Sequence, residues 1–204
     1  AGYWKFQRPK KGVEAEWDPD DNKYKLYTRY AKELSGDDIG AWFSFDAAAG
    51  EQVEVRLGVS FVSIEGARRN LEAELSGKTF DQVRAEAEEK WNADLSRILV
   101  EGGTEEEKTV FYTALYHLLL HPNILQDTDG RYPLMEGDGI GTVPAGHNRY
   151  TVFSLWDTYR NVHQLLSLVY PERQADMLRS MAGMAKEWGW LPKWELYGRE
   201  TFTM

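Results

Sequence analysis

The stretch TFDQVRAEAEEKWNADLSRI, residues 79–98, decides the architecture. Phe80, Val83, Ala87, Trp91, Leu95 and Ile98 recur at three- and four-residue steps, the period of a helix with one apolar stripe. Thr79 with Gln82 three residues on has the spacing of a capping box. Before this stretch the pattern has period two, and after it the helical period continues.

Upstream, KYKLYTRY (residues 23–30) alternates through Tyr24, Leu26, Thr28 and Tyr30. IGAWFSF (39–45) does the same through Ile39, Ala41, Phe43 and Phe45. QVEVRLGVSFVSI (52–64) places Val53, Val55, Leu57, Val59 and Phe61 on one side. Such alternation predicts antiparallel strands with one buried face. Turn-forming clusters separate them: Asp18-Pro19-Asp20-Asp21-Asn22, Ser35-Gly36-Asp37-Asp38 and Ala49-Gly50.

Downstream, Gly102-Gly103 breaks the chain and Thr104 with Glu107 repeats the capping-box spacing. Val110, Phe111, Ala114, Leu115, Leu118 and Leu119 form the apolar face of a second helix that Pro122 would stop. A long loop, residues 123–149, follows; loops of that length inside a compact domain are usually functional or mobile. A third helix is expected after Ser154, with Val152, Leu155, Tyr159, Val162, Leu166 and Val169 as its buried stripe. A fourth is expected from Pro171 at its first position to Trp188, with Gly189 as its C-terminal stop. Its apolar face would be Met177, Leu178, Met181, Met184, Ala185 and Trp188. Strands followed by helices in succession predict a β domain and then an all-α domain. The chain begins at Ala1 rather than Met and ends at Met204 without a terminal cap, which reads as a fragment of something longer.

Composition narrows the function. The 204 residues carry a net charge of -9, which argues against a phosphate-backbone partner and so against nucleic acid. There is no Cys, so disulfides and thiolate metal sites are excluded. No run of about 18 apolar residues exists to span a membrane. Eight Trp and eleven Tyr make the chain aromatic-rich, which suits a packed core first and the face of a sugar second.

Two segments carry candidate chemistry. In YTVFSLWDTYRN, residues 150–161, Ser154 and Asp157 have capping spacing, so Asp157 would sit among the free amides at a helix start while Trp156 extends the buried stripe. Alternatively the helix start opens into a pocket. Asp157 would then accept hydrogen bonds from hydroxyls, Trp156 would form an apolar wall, and Arg160 would orient the carboxylate. In WGWLPKWELYGRET, residues 188–201, three Trp within seven residues are followed by Glu195 and Glu200. Rings for sugar C–H faces and acids for hydroxyls are what a carbohydrate site requires; the plain alternative is a packed turn with solvated charges. Asp127-Thr128-Asp129-Gly130 misses the glycine and glutamate positions of an EF-hand and reads as a turn. His117 and His121 have the spacing of two zinc ligands, but Leu118-Leu119-Leu120 between them lacks a catalytic acid; His121 more simply closes a helix C-terminus. His147 and His163 read as a loop and a helix residue.

Four of these segments, FYTALYHLLLHPNILQDTDGRY (111–132), YTVFSLWDTYR (150–160), PERQADML (171–178) and GWLPKWELYGRET (189–201), resemble glycoside hydrolase family 92, the calcium-dependent exo-α-mannosidases. VEVRLGVSFVSIEGARRNLEAE (53–74) resembles the end of that family's N-terminal β-sandwich. The resemblance implies part of an antiparallel β-sandwich over residues 1–75, a helical linker over 76–103, and the first helices of an (α/α)6 catalytic barrel over 104–204. It implies an inverting enzyme acting on terminal α-mannosides of glycans, with bound calcium, in the bacterial periplasm, at the cell surface or secreted. The general acid, general base and main calcium ligands of the family have no matching positions here, so no catalytic residue is expected within the chain and the isolated chain is expected to be inactive. The matching positions are Trp156 and Asp157 as substrate contacts, with Glu195 and Glu200 as further substrate-binding residues in a neighbouring motif that also includes Thr201. Arg199 departs from the Asn usual before its Glu-Thr pair. The mannose-containing glycan and the remainder of the same polypeptide are the expected partners. Another β-sandwich plus (α/α)-barrel carbohydrate enzyme, or a carbohydrate-binding module without catalysis, are the competing expectations.

Overall fold

The computed structural model describes the backbone of residues 2–5, 17–18, 23–24, 27–29 and 39–42, and residues 45–201 in full. The chain divides into two compact units, Ala1–Val53 and Glu54–Met204.

In the first unit the described elements are β1 (Gly2–Lys5), β2 (Trp17–Asp18), β3 (Lys23–Tyr24), β4 (Tyr27–Arg29) and β5 (Ile39–Trp42). They form an antiparallel sheet of order β4-β1-β5 and an antiparallel pair, β2 with β3. β3 and β4 fall within the single strand expected over 23–30 but pair with different partners, and β5 falls within the one expected over 39–45; the facing of their side chains lies outside the described residues, and Phe45, expected on the buried face, is exposed.

The second unit mixes helix and sheet. Its first segment corrects the expected third strand. Residues 51–60 form no ladder among the described residues, and Val55, Leu57, Val59 and Phe61 are exposed. The segment instead runs against a helix that the alternation concealed, α1 (Ile64–Leu75), capped by Ser63, whose hydroxyl accepts from the Gly66 amide at 3.0 Å. Arg56 donates to the carbonyls of Leu75 and Lys78, and Asn70 to that of Val59. Gly58 lies so close that a Cβ there would meet the Ala67 carbonyl at 2.3 Å. Backbone-to-helix contact occupies the place where a neighbouring strand would give alternation its meaning.

α2 (Phe80–Leu95) and α3 (Glu105–Leu118) both begin with complete capping boxes, Thr79 with Gln82 and Thr104 with Glu107. Glu107 titrates below the usual carboxylate range because its carboxylate accepts from the Thr104 amide and hydroxyl. Their apolar stripes are only partly covered. Leu95 and Ile98 reach the core and Leu115 is buried in it, whereas Phe80 and Val110 face solvent.

The expected loop over 123–149 carries three short strands. β6 (Asn123–Ile124) pairs antiparallel with β9 (Tyr150–Thr151), and β7 (Arg131–Pro133) with β8 (Ile140–Thr142). Its acidic turn is a joint rather than an ion site. Asp127 is buried and accepts from Ser60 Oγ at 2.8 Å and Asn70 Nδ2 at 2.9 Å. Asn70 Oδ1 in turn accepts from the Thr128 amide and hydroxyl at 2.9 and 3.0 Å. Gly66 must lack a side chain here, since a Cβ would meet Asp127 Oδ2 at 2.3 Å.

The chain continues through β10 (Phe153–Ser154), α4 (Leu155–Thr158), α5 (Val162–Val169), α6 (Pro171–Trp188), β11 (Trp194–Leu196) and β12 (Arg199–Glu200). The expected third helix is thus two short ones broken at residues 159–161, and Tyr159 is exposed. α6 matches its expected ends: Pro171 opens it, and Gly189 closes it in the left-handed region at φ +94°. Leu178 of its expected face points outward. The core comprises Leu115, Met135, Tyr150, Phe153, Leu166, Tyr170, Met177 and Met184, joined by half-buried residues of α2, α3 and α5.

Candidate functional site

Sequence-distant candidates meet in one small sheet. β10, β11 and β12 form an antiparallel sheet with Phe153 opposite Glu195, Ser154 opposite Trp194, and Glu195 opposite Glu200. The Leu155 amide donates to the Lys193 carbonyl at 3.0 Å, extending the pairing to the first residue of α4. The two candidate segments therefore form one structure, with Trp156 and Asp157 on the four-residue helix that leaves its edge.

Trp156 and Asp157 stand at the surface, Trp156 being 68% exposed. Ser154 Oγ donates to the Asp157 carboxylate, while Ser154 makes no capping bond to the helix amides. Trp156 thus does not extend the buried stripe. The Arg160 guanidinium lies 5.8 Å over the neighbouring Tyr159 ring; among the described residues it makes no ion pair with Asp157.

Glu195 behaves in the opposite way. It is 0% exposed, and its carboxylate accepts from Thr151 Oγ1 at 2.8 Å, the Val152 amide at 3.0 Å and the Gly198 amide at 2.6 Å. Burial raises its pKa above the ordinary carboxylate value, and the hydrogen bonds from Gly198, Thr151, Val152 and Phe153 partly oppose that rise. Thr151 Oγ1 also accepts from the Tyr197 amide at 2.8 Å. This network holds two left-handed turns. Val152 sits at φ +65°, a conformation that costs a β-branched residue about 1–3 kcal/mol. Tyr197 at +52° and Gly198 at +81° form the two-residue hairpin turn between β11 and β12.

Glu200 accepts from the Lys193 and Trp194 amides at 3.0 and 2.9 Å, and Thr201 donates to the Trp194 carbonyl. Glu200 thus serves the hairpin's own backbone, whereas Glu195 joins the hairpin turn to Thr151 and Val152. Arg199 is exposed and faces Glu136 at 3.8 Å.

Beneath the sheet, Arg149 is 2% exposed and forms a two-pronged pair with Glu187 of α6 at 2.9 and 2.8 Å; its guanidinium lies 4.4 Å over the Tyr132 ring. Asp176 of α6 holds His147 at 3.0 Å, the Asn148 amide at 2.9 Å and Arg179 at 2.8 Å. His163 lies between Thr158 and Gln174, its two ring nitrogens 2.9 and 3.0 Å from them. His121 reaches only Asn123, at 3.4 Å, after α3 has ended. Asp176 with Arg179 has the i,i+3 spacing of a helical pair; the pairs that join distant segments, Arg149 with Glu187 and His147 with Asp176, have no local sequence signature. Among the described residues no three His, Asp or Glu cluster as metal ligands. Asp127, Asp176, Glu187 and Glu195 are each surrounded by N–H and O–H donors, the reverse of the oxygen cage that calcium requires. No helix of the described residues is long and apolar enough to cross a membrane.

Comparison with known proteins gives concordant matches. The profile of the glycosyl hydrolase family 92 catalytic domain matches residues 66–204. A family GH92 alpha-mannosidase of Bacteroides thetaiotaomicron, solved alone and in complex with mannoimidazole, superposes with a TM-score of 0.66 at 41% identity, over 71% of this chain and 19% of that one. An inverting GH92 mannosidase of the same species gives 0.65 at 31% identity, over 71% of this chain and 20% of its own. An uncharacterized secreted glycosidase of Arthroderma benhamiae is 30% identical over 103 residues, 48% of this chain and 13% of that protein. The chain thus spans about a fifth or less of the length of these relatives.

Proposed function

The chain belongs to glycosyl hydrolase family 92, and from that premise we propose that it is a fragment of an inverting exo-α-mannosidase hydrolysing terminal α-mannosides of glycans. The mannosidase relatives and the mannoimidazole complex of one of them support the substrate class. The observation that carries the site is the pairing of an exposed Trp156 and Asp157 on a helix whose footing is buried. An indole face covers the apolar side of a pyranose, and a carboxylate beside it accepts hydrogen bonds from ring hydroxyls. Glu195 and Glu200 complete the site as its support, since their oxygens are occupied by backbone amides and the Thr151 hydroxyl.

Inversion requires one carboxylic acid to protonate the leaving oxygen and one carboxylate to activate water from the opposite face, about 6.5–9.5 Å apart. The buried carboxylates described here are committed to internal donors, so we place that pair, and the ligands of the calcium that the family implies, outside these residues. The architecture proposed is part of a β-sandwich over 1–75, a helical linker over 76–103 and the opening of an (α/α)6 barrel over 104–204, completed by the remainder of the polypeptide. Secretion to the periplasm, the cell surface or beyond accords with the secreted fungal relative.

The test is an assay of the full-length protein on α-mannosides and α-glucosides, with and without a chelator, following the anomer released. Chelator-sensitive release of β-mannose is expected, with no turnover by the isolated chain. Chelator-insensitive glucosidase activity would defeat the reading. Sugar binding without hydrolysis by the full-length protein would favour a non-catalytic binding module instead.

A further inference from the structure

A second role emerges from the strained residue just ahead of the exposed pair. Val152 occupies the left-handed region four residues before Trp156, where a β-branched side chain is disfavoured. Such a conformation persists only where the surroundings enforce it. The enforcing group is visible: the Val152 amide donates to Glu195 Oε2 at 3.0 Å, and Glu195 Oε1 takes Thr151 Oγ1 at 2.8 Å and the Gly198 amide at 2.6 Å. One fully buried carboxylate therefore fixes both the kink that launches β10 toward α4 and the turn that closes the β11–β12 hairpin. The hydroxyl of Thr151 ties the two by accepting from the Tyr197 amide.

We infer that Glu195 is a positioning residue, which acts on substrate by holding the Val152 kink and thereby the placement of Trp156 and Asp157; this rests on the proposed sugar site at that pair. The carboxylate reaches no solvent, so it touches no sugar itself. The groups facing it, the Thr151 hydroxyl and the Val152, Phe153 and Gly198 amides, are all donors, so only an acceptor on both oxygens satisfies the site. An amide at this position would turn one N–H2 against a backbone N–H, and the kink would relax.

The experiment compares kcat and KM of the full-length enzyme on an α-mannoside for wild type, Asp157→Ala, Glu195→Gln and the double variant. Glu195→Gln is expected to raise KM by about tenfold to a hundredfold, the scale of an ångström-sized misplacement. In the Asp157→Ala background most of that rise should vanish, because both substitutions act through one contact. Loss of folded enzyme lowers the apparent kcat and leaves KM alone, so a merely structural role is distinguishable. Adding Val152→Gly to Glu195→Gln should restore KM in part, since glycine takes the left-handed conformation without strain. If Glu195→Gln does not fold, Thr151→Val, which removes the hydroxyl between the two turns, should give the same rise. A folded Glu195→Gln or Thr151→Val enzyme with unchanged KM, alongside a raised KM in Asp157→Ala, overturns the positioning role and spares the sugar site. An unchanged KM in Asp157→Ala overturns the sugar site and this role with it.

Discussion

α2 and α6 are built by opposite means. α2 opens with a complete capping box and buries none of its sixteen residues; α6 has no side-chain cap at its start and buries Gln174, Asp176, Met177, Ser180 and Met184. The first is a helix by local chemistry, the second by what lies against it. Capping contributes about 1 kcal/mol, whereas burying one large apolar side chain contributes about 1.5–3 kcal/mol. α6 can therefore dispense with the cap, and it also carries the acidic side chains that hold the residues before β9.

Substitutions can break that contrast, the largest first. Glu187→Ala would leave the buried Arg149 guanidinium without its counter-charge, in a site where Arg149 Nε already has no partner. A loss of about 3–5 kcal/mol is expected, read by urea unfolding of the chain. Met184→Ala, at a position of zero exposure, should cost about 2–5 kcal/mol through the cavity it leaves. On α2, Thr79→Ala should cost about 1 kcal/mol, measured as a drop in thermal midpoint. Phe80→Ala, on a side chain 66% exposed, should stay within about 0.5 kcal/mol. A Phe80 effect as large as that of Met184 would show that α2 buries its stripe in solution, and the contrast would collapse.

The same division explains what could be read in advance. Both capping boxes, Pro171 and Gly189 are signals spanning a few residues, and each element stands where they place it. The alternating run before α1 failed because alternation implies a strand only if a second strand lies alongside, and here α1 lies there. Within α1, Ile64, Ala67, Leu71 and Leu75 already carry a helical period, but the overlapping period of two masked it. At the site, Trp156, Asp157, Glu195 and Glu200 were all visible as candidates. Their division into an exposed pair, a buried Glu195 and a half-buried Glu200 was not, because the bond between Thr151 and Glu195 joins residues 44 positions apart. Arg149 with Glu187 and His147 with Asp176 are likewise partnerships between distant segments that no local spacing announces.

The Asn70 amide offers a last consequence, one of timing. Its bond to Asp127 closes a loop of 57 residues that contains all of α2 and α3. Closing such a loop has an entropic cost that no single hydrogen bond offsets, so the clasp should form only after the helices inside it have shortened the path. It would be absent from the folding transition state and would act on the way out. Asn70→Ala is expected to speed unfolding while leaving the folding rate nearly unchanged, which stopped-flow chevrons would read directly. A slowed folding arm would mean that the clasp seeds the fold instead of sealing it.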